Sequence, residues 1–241
     1  MNVLLTGATG AIGKKTAIAL AKDGNDLCLT CAHREKEGAE LAKRIRDEYG
    51  VRAFCSVCDL SDEPGVNMLF DDMRANDFEA EGLIHCAGIA YIGLLQSMSL
   101  DEWRQVMDTN ITSTFLLARG VIPSMLEKKQ GKMIFVSSVW GRVGASMEVA
   151  YSASKGALDT FCRALARELA PSNIQVNSAA LGYVDTPMNA HLTEEERENI
   201  REQIPSGRLG TTDDVAKFLV SILKSDSYMT GQVITFDGGW T

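Results

Sequence analysis

Short apolar runs alternate along the chain with longer stretches in which apolar residues recur every three to four positions. The short runs fall near 2–6, 26–31, 51–57, 82–86, 131–137, 173–179 and 231–236. The longer, amphipathic stretches fall near 11–22, 35–49, 61–75, 99–127, 150–170 and 212–224. Brief runs of continuous apolar character read as strands, and periods near 3.6 as helices. Strand and helix in regular alternation predict an α/β fold whose parallel sheet is covered on both faces. Right-handed crossovers then give a doubly wound, Rossmann-type order 3-2-1-4-5-6, with Gly231 to Phe236 as a seventh strand. No linker, repeat or low-complexity segment interrupts the pattern. Residues 1–241 therefore read as one domain, long enough to bury a substantial core.

The first strand, Asn2 to Thr6, runs into Gly7-Ala-Thr9-Gly10-Ala11-Ile12-Gly13 and then into the first helix. Strand, glycine turn and helix is the context in which a glycine motif has meaning. Glycines let a backbone approach a pyrophosphate at a helix N-terminus, where free N–H groups and the helix dipole favour anions. A plain tight turn explains one such glycine but not three at a spacing of three. The turn predicts dinucleotide binding.

A second constellation is Tyr151-Ser-Ala-Ser-Lys155, with Ser138 upstream. Residues i and i+4 share a helix face, so Lys155 lies one turn from Tyr151. A phenol, with a pKa of about 10, is a poor proton carrier at neutral pH. A neighbouring ammonium should favour the phenolate and lower that value. Ser138 could then hold a carbonyl oxygen beside the phenol. By itself a Tyr and a Lys at this spacing can be no more than a solvated helix face. With the glycine turn it reads as the proton-transfer half of a carbonyl reductase.

On these residues the chain resembles the short-chain dehydrogenase/reductase family over its full length. The family pattern T-G-x-x-x-G-x-G falls on Thr6, Gly7, Ala11 and Gly13, with Ala11 in place of the middle glycine. The catalytic tetrad of the family falls on Asn110, Ser138, Tyr151 and Lys155, and the C-terminal Asp237-Gly-Gly239 also matches. In that tetrad Tyr151 donates the proton, Ser138 orients the carbonyl oxygen, and Lys155 lowers the phenol pKa and holds the nicotinamide ribose. Asn110 would hold a water that relays protons outward; otherwise it is a helix-interior amide bonding nearby backbone. The N-N-A-G segment of the family reads His85-Cys86-Ala87-Gly88 here, which should weaken a strand-stabilising hydrogen bond. Leu181-Gly182 replaces a Pro-Gly turn and should loosen it.

The resemblance implies cofactor contacts at Gly7, Thr9, Gly10, Ala11, Ile12 and Gly13, and at Cys86, Ala87 and Gly88. It adds Tyr151, Lys155 and Gly182, places Val184 and Thr186 on the carboxamide, and sets Asp59, with Leu60 beside it, at the adenine. An acidic residue ending the second strand selects NAD, whereas a basic one accommodates the extra phosphate of NADP. Here the strand ends Cys31-Ala-His33-Arg34, with no carboxylate before Glu35 and with Cys31 where NAD-specific members carry Asp. Arg34 offers a forked cation, assisted by His33. NADPH is the expected cofactor, and the resemblance also implies a homotetramer built on the 99–127 and 150–170 helices.

Within the family, the Pro205-to-Gly210 run and the short C-terminus are most similar to 3-oxoacyl-[acyl-carrier-protein] reductases of fatty acid biosynthesis. Of two basic positions that dock the acidic carrier there, one falls on Lys129, next to Lys128, and the other on Ser172. A second subgroup, reductases of a 5-aminopentanone group on a lysine of elongation factor P, is similar at Trp140, Gly144-Ala-Ser146 and Glu148. Met188-Asn189 and Gly239-Trp240 match it too. Trp140 and Glu148 lie between Ser138 and Tyr151 and should line the substrate pocket. A non-catalytic NADPH-binding protein is the alternative from another class, and the intact tetrad argues against it.

Composition narrows the rest. A net charge of −8 argues against nucleic acid, and no apolar run reaches the ~20 residues of a membrane span. The first strand starts at residue 2, leaving no room for a leader, so the cytoplasm is expected. Cys28-x-x-Cys31 and Cys55-x-x-Cys58 suggest a zinc ribbon, but both lie on strands, where i and i+3 face opposite ways. They read, with Cys86 and Cys162, as free thiols packed as small hydrophobes, and no metal is expected. Between Val184 and Arg208 a highly charged helical segment sits between turn signals and reads as a lid over a cleft.

Overall fold

The computed structural model describes residues 1–189 and 192–241. Among these, seven strands form one parallel sheet: β1 (Asn2–Thr6), β2 (Asp26–Cys31), β3 (Ala53–Val57), β4 (Gly82–His85), β5 (Gly131–Ser138), β6 (Ile174–Leu181) and β7 (Val233–Phe236). Their order is β3-β2-β1-β4-β5-β6-β7. The helices are α1 (Ala11–Lys22), α2 (Glu35–Tyr49), α3 (Glu63–Ala75), α4 (Leu100–Met107), α5 (Ser113–Lys128), α6 (Trp140–Val143), α7 (Val149–Leu169), α8 (Glu194–Gln203) and α9 (Thr212–Leu223). This is the doubly wound arrangement expected from the alternating pattern. The order reverses between β1 and β4, so a crevice opens at the C-terminal ends of those strands.

The core sits on both sheet faces because successive strand residues point opposite ways. Leu4 and Leu83 join Phe135, Leu117 and Leu158 on one side. Their neighbours Leu5 and Ile84 join Leu20, Ile134 and Leu219 on the other. β4 and β6 are buried along their whole length, and the polar residues β6 carries are bonded inside the fold, Asn177 to Met229 O and Ser178 to Asp159. Each fully buried Leu or Phe contributes roughly 1.5–3 kcal/mol, so these strands anchor the fold.

The stretch from 99 to 127, expected as one helix, is interrupted by a π-turn at Asp108–Thr112. Two hydroxyls capture carbonyls there: Ser113 Oγ donates to Thr109 O at 2.6 Å and Thr114 Oγ1 to Asn110 O at 2.9 Å. The wider turn leaves Asn110 fully buried.

Two expected weaknesses are absent. His85 bonds at both ring nitrogens, Nδ1 to the Thr6 hydroxyl at 2.7 Å and Nε2 to the Ser113 hydroxyl at 3.1 Å. Ser113 gives its proton to Thr109 O, and Thr6 Oγ1 accepts from the Ala87 N–H. The proton count then places the imidazole hydrogen on Nε2, with Nδ1 accepting from Thr6. One neutral histidine thus joins β1, β4 and α5. At Leu181-Gly182, the Val139 N–H donates to Leu181 O at 2.9 Å and the Gly182 N–H to Phe236 O at 3.0 Å. These bonds hold the turn without proline.

The cysteines divide between the faces as strand alternation requires. Cys28 and Cys58 pack in the cluster around Phe135, whereas Cys55 packs on the opposite face, its Sγ 3.7 Å from that of Cys31. All six are free thiols. No described helix is long and apolar enough to cross a membrane.

Candidate active site

Gly7 adopts φ +63°, and a Cβ there would meet Ala87 N at 2.9 Å. A Cβ on Gly13 would fall 2.1 Å from Gly7 O. Both positions therefore exclude a side chain, and the turn folds tightly onto the start of α1. The N-cap, Gly10, supplies no side-chain hydrogen bond, and the first turn of α1 holds no acidic residue. Its N–H groups thus face the crevice uncapped and without a competing carboxylate, a fit for a pyrophosphate. Arg34 reaches the same turn, donating from Nη1 to Thr9 O at 3.0 Å. Asp59 accepts from the Ser61 N–H at 2.9 Å and feels the charge of His33, so these residues lie at one end of the crevice, where the sequence expects the adenosine.

At the other end, β5 delivers Ser138 and α7 delivers Tyr151 and Lys155. They meet because α6 lies directly on α7. A Cβ on Gly141 would sit 2.8 Å from the Lys155 carbonyl carbon. The Ser138 oxygen accepts from the Trp140 N–H at 3.2 Å, which leaves its proton free to donate toward the Tyr151 oxygen. Lys155 Nζ donates to Val136 O at 2.8 Å and lies 5.6 Å from the Tyr151 ring centroid.

The expected lowering of the phenol pKa is not present in this arrangement. Burial pushes Tyr151 up to about 12, opposed by the Ser138 hydrogen bond and reinforced by the charge of Glu148. Burial pulls the Lys155 ammonium down to about 8. The lysine spends its hydrogen bond on the sheet rather than on the phenol. Asn110 shows the bonding of its second reading: Nδ2 donates to Ile89 O and Ser154 Oγ, both at 2.9 Å, and Oδ1 accepts from the Ile89 N–H at 2.8 Å. It ties the loop after β4 to α7 behind the catalytic pair.

Ser138, Tyr151 and Lys155 open onto a cavity of about 270 Å³. Trp140 and Trp240 meet edge to face in its wall, with centroids 5.1 Å apart. Glu148, Ile92 and Tyr183 also line it, as do Met188, Leu192 and, from α8, Ile200. The highly charged segment thus contributes an apolar side chain to the cavity wall. It is tied back by an Arg197–Asp185 ion pair at 3.1 Å and capped by Thr193, whose hydroxyl accepts from the Glu196 N–H.

The sequence profile described as short chain dehydrogenase matches residues 1–197. The chain belongs to the short-chain dehydrogenase family. Relatives in that family include an uncharacterized oxidoreductase, YmfI, of Bacillus subtilis, 36% identical over 240 residues, covering 99% of this chain and 98% of that protein. The 3-oxoacyl-[acyl-carrier-protein] reductase of Aquifex aeolicus is 37% identical over 239 residues, covering 98% of this chain and 95% of that one. A crystal structure of a 3-oxoacyl-[acyl-carrier protein] reductase from Brucella melitensis superposes with a TM-score of 0.93 at 29% identity, covering 100% of this chain and 91% of that one. Another Brucella melitensis reductase structure, with bound NAD, gives a TM-score of 0.91 at 29% identity, with the same coverage. The chain is therefore an oxidoreductase that uses a nicotinamide cofactor.

Against the short-chain dehydrogenase pattern, Ile12, Cys86, Gly88, Ser138, Trp140, Glu148, Tyr151, Lys155, Gly182, Val184 and Thr186 line one cavity. Thr9, His33, Arg34 and Asp59 lie outside it, at the adenosine end. Leu60 and Asn110 are buried behind the surface. Trp240, Ile92, Tyr183 and Ile200 were not assigned to the pocket from the sequence. Trp240 comes from the extreme C-terminus and Ile92 from a loop, so no local periodicity marks either. Tyr183 follows the strand that carries the nicotinamide-side residues, and its hydroxyl is buried without a hydrogen-bond partner.

Proposed function

We propose that the chain is an NADPH-dependent carbonyl reductase, most like 3-oxoacyl-[acyl-carrier-protein] reductase, reducing a 3-ketoacyl to a 3-hydroxyacyl group. The observation that carries the reading is the convergence of Ser138, Tyr151 and Lys155 at the floor of one largely apolar cavity. When bound, the nicotinamide supplies the hydride. Ser138 and Tyr151 hold the ketone oxygen, and Tyr151 gives its proton to the oxygen as charge develops there. With burial holding the phenol protonated, Tyr151 is poised as an acid. Lys155 lies within reach of its ring and stabilises the phenolate left behind. Asn110, whose amide is spent on Ile89 and Ser154, holds the loop after β4 against α7 beside this pair. Trp140, Trp240 and the cover from α8 keep water from the reacting carbon.

Arg34 favours NADPH: it stands beside the glycine turn, its Nη1 shared between Thr9 O at 3.0 Å and the exposed Glu37 carboxylate at 3.5 Å, and no carboxylate occupies position 31 or 33. On this reading the enzyme is cytoplasmic, assembles as a homotetramer and receives its ketone on an acyl carrier protein. Lys128 is already paired with Glu79 at 2.8 Å, which leaves Lys129 as the basic docking residue of that edge.

A second reading is supported by Glu148 beside Trp140 and Trp240. A carboxylate lining the same cavity as two indoles suits a cationic amine better than a fatty chain, as in the 5-aminopentanone group on a lysine of elongation factor P. Purified protein given NADPH with an acetoacetyl thioester, and separately with an amine-bearing ketone, tests both. Rapid NADPH consumption with the thioester supports the first reading, and with the amine alone the second. Consumption with neither, despite NADPH binding, would leave a non-catalytic binding protein.

A further inference from the structure

α7 carries a third polar residue on the face that presents Tyr151 and Lys155. Asp159 lies one turn beyond Lys155, at the i+4 spacing that makes helix side chains neighbours. It is 2% exposed, and Lys155 is 5% exposed. Its Oδ1 accepts from the Ser178 hydroxyl of β6 at 2.8 Å, while Oδ2 is buried with no hydrogen-bond partner. A solvent-excluded carboxylate oxygen without a donor calls for a compensating charge. The buried Lys155 ammonium has the complementary deficit: it bonds one carbonyl and forms no ion pair among the described residues.

We propose that Asp159, fixed by Ser178, is a positioning residue that supplies the counter-charge keeping Lys155 protonated beneath Tyr151. The inference rests on the proposed roles of Tyr151 and Lys155. Burial pulls the Lys155 ammonium down and pushes the Asp159 carboxyl up, and the charge of each opposes the shift of the other, the Ser178 hydrogen bond also favouring the carboxylate. The other groups facing Lys155 are Tyr151 on its own helix, His85 on β4 and Cys86 after it. None of these is an anion near neutral pH. Those facing Asp159 are Ser137 on β5, Ser178 on β6, and Cys162 and Arg163 on α7. Arg163 is exposed, so water screens it. Lys155 is the buried cation.

The test is the pH profile of kcat/KM for ketone reduction by NADPH in the wild type, Asp159→Asn and Tyr151→Phe. Asn keeps the shape and the contact to Ser178 but removes the charge. Lys155 should then lose its proton more readily, moving the alkaline limb down by about one pH unit, a roughly tenfold loss at high pH with little change near pH 6. A limb at the wild-type position, or an equal loss at every pH with a lower Tm, would overturn the inference. Ser178→Ala, which frees the carboxylate to turn away, should displace the limb in the same direction. It decides the matter if Asp159→Asn does not fold, and an unmoved limb counts against. Full activity in Tyr151→Phe sinks the reading of Tyr151 and the inference with it. An inactive Tyr151→Phe beside an unshifted Asp159→Asn sinks the inference alone.

Discussion

Arg34 and Thr9 are joined by a 3.0 Å hydrogen bond from the guanidinium to the backbone carbonyl, linking the end of β2 to the glycine turn. The cation is thereby held beside the turn proposed to take the dinucleotide. Arg34→Ala should raise KM for NADPH by about ten- to a hundredfold, the loss of a charge-assisted contact of roughly 1.5–3 kcal/mol. KM for NADH should change little. Equal effects on the two cofactors would show that Arg34 does not discriminate between them.

Tyr151→Phe should abolish ketone reduction while leaving NADPH affinity nearly unchanged. The phenol alone supplies the proton, whereas the turn at Gly7 to Gly13, Arg34 and Lys155 remain to hold the cofactor. Steady-state kinetics with NADPH titrated separately by fluorescence checks both halves. More than a tenth of the wild-type kcat in the variant would remove Tyr151 from its role as general acid.

Glu148 immediately precedes α7 and lines the same cavity as Trp140. An opposite charge at close range in a partly desolvated cleft contributes on the order of 1–2 kcal/mol, about tenfold in selectivity. Glu148→Gln should lower kcat/KM for an amine-bearing ketone relative to a neutral 3-oxoacyl thioester by that factor. A ratio that stays constant makes Glu148 a bystander and favours the acyl-carrier substrate.

His85 is buried and held near pKa 3, chiefly by desolvation and secondly by the Lys155 charge. Its unfolded value is about 6.5. The unfolded chain therefore binds the extra proton between those values, and stability present above pH 6.5 is lost as the pH falls toward 3. At most about 5 kcal/mol is at stake. His85→Asn removes the titration and should flatten the dependence of Tm on pH in that window. Parallel curves for the two proteins would show that His85 protonation does not drive acid unfolding.

The alternation of apolar runs marked the strands and helices and most of their boundaries, because period and burial are local consequences of side-chain chemistry, and the rule of right-handed crossovers supplied the strand order. The Tyr151–Lys155 spacing and the glycine turn were legible for the same reason: each is short, contiguous and tied to one element. What lay beyond the sequence depends on contacts between distant segments. The π-turn that buries Asn110 arises where hydroxyls of Ser113 and Thr114 take carbonyls from the helix. The bonding of His85 needs Thr6 and Ser113 from two other elements. Trp240 becomes a pocket wall only once β7 brings the C-terminus beside Trp140. The protonation of Tyr151 and Lys155 also escaped the i,i+4 argument. Spacing sets which side chains are neighbours, but burial chiefly shifts both groups, the Ser138 hydrogen bond and Glu148 charge acting on Tyr151 and the Asp159 charge on Lys155, and all of these belong to the folded chain alone.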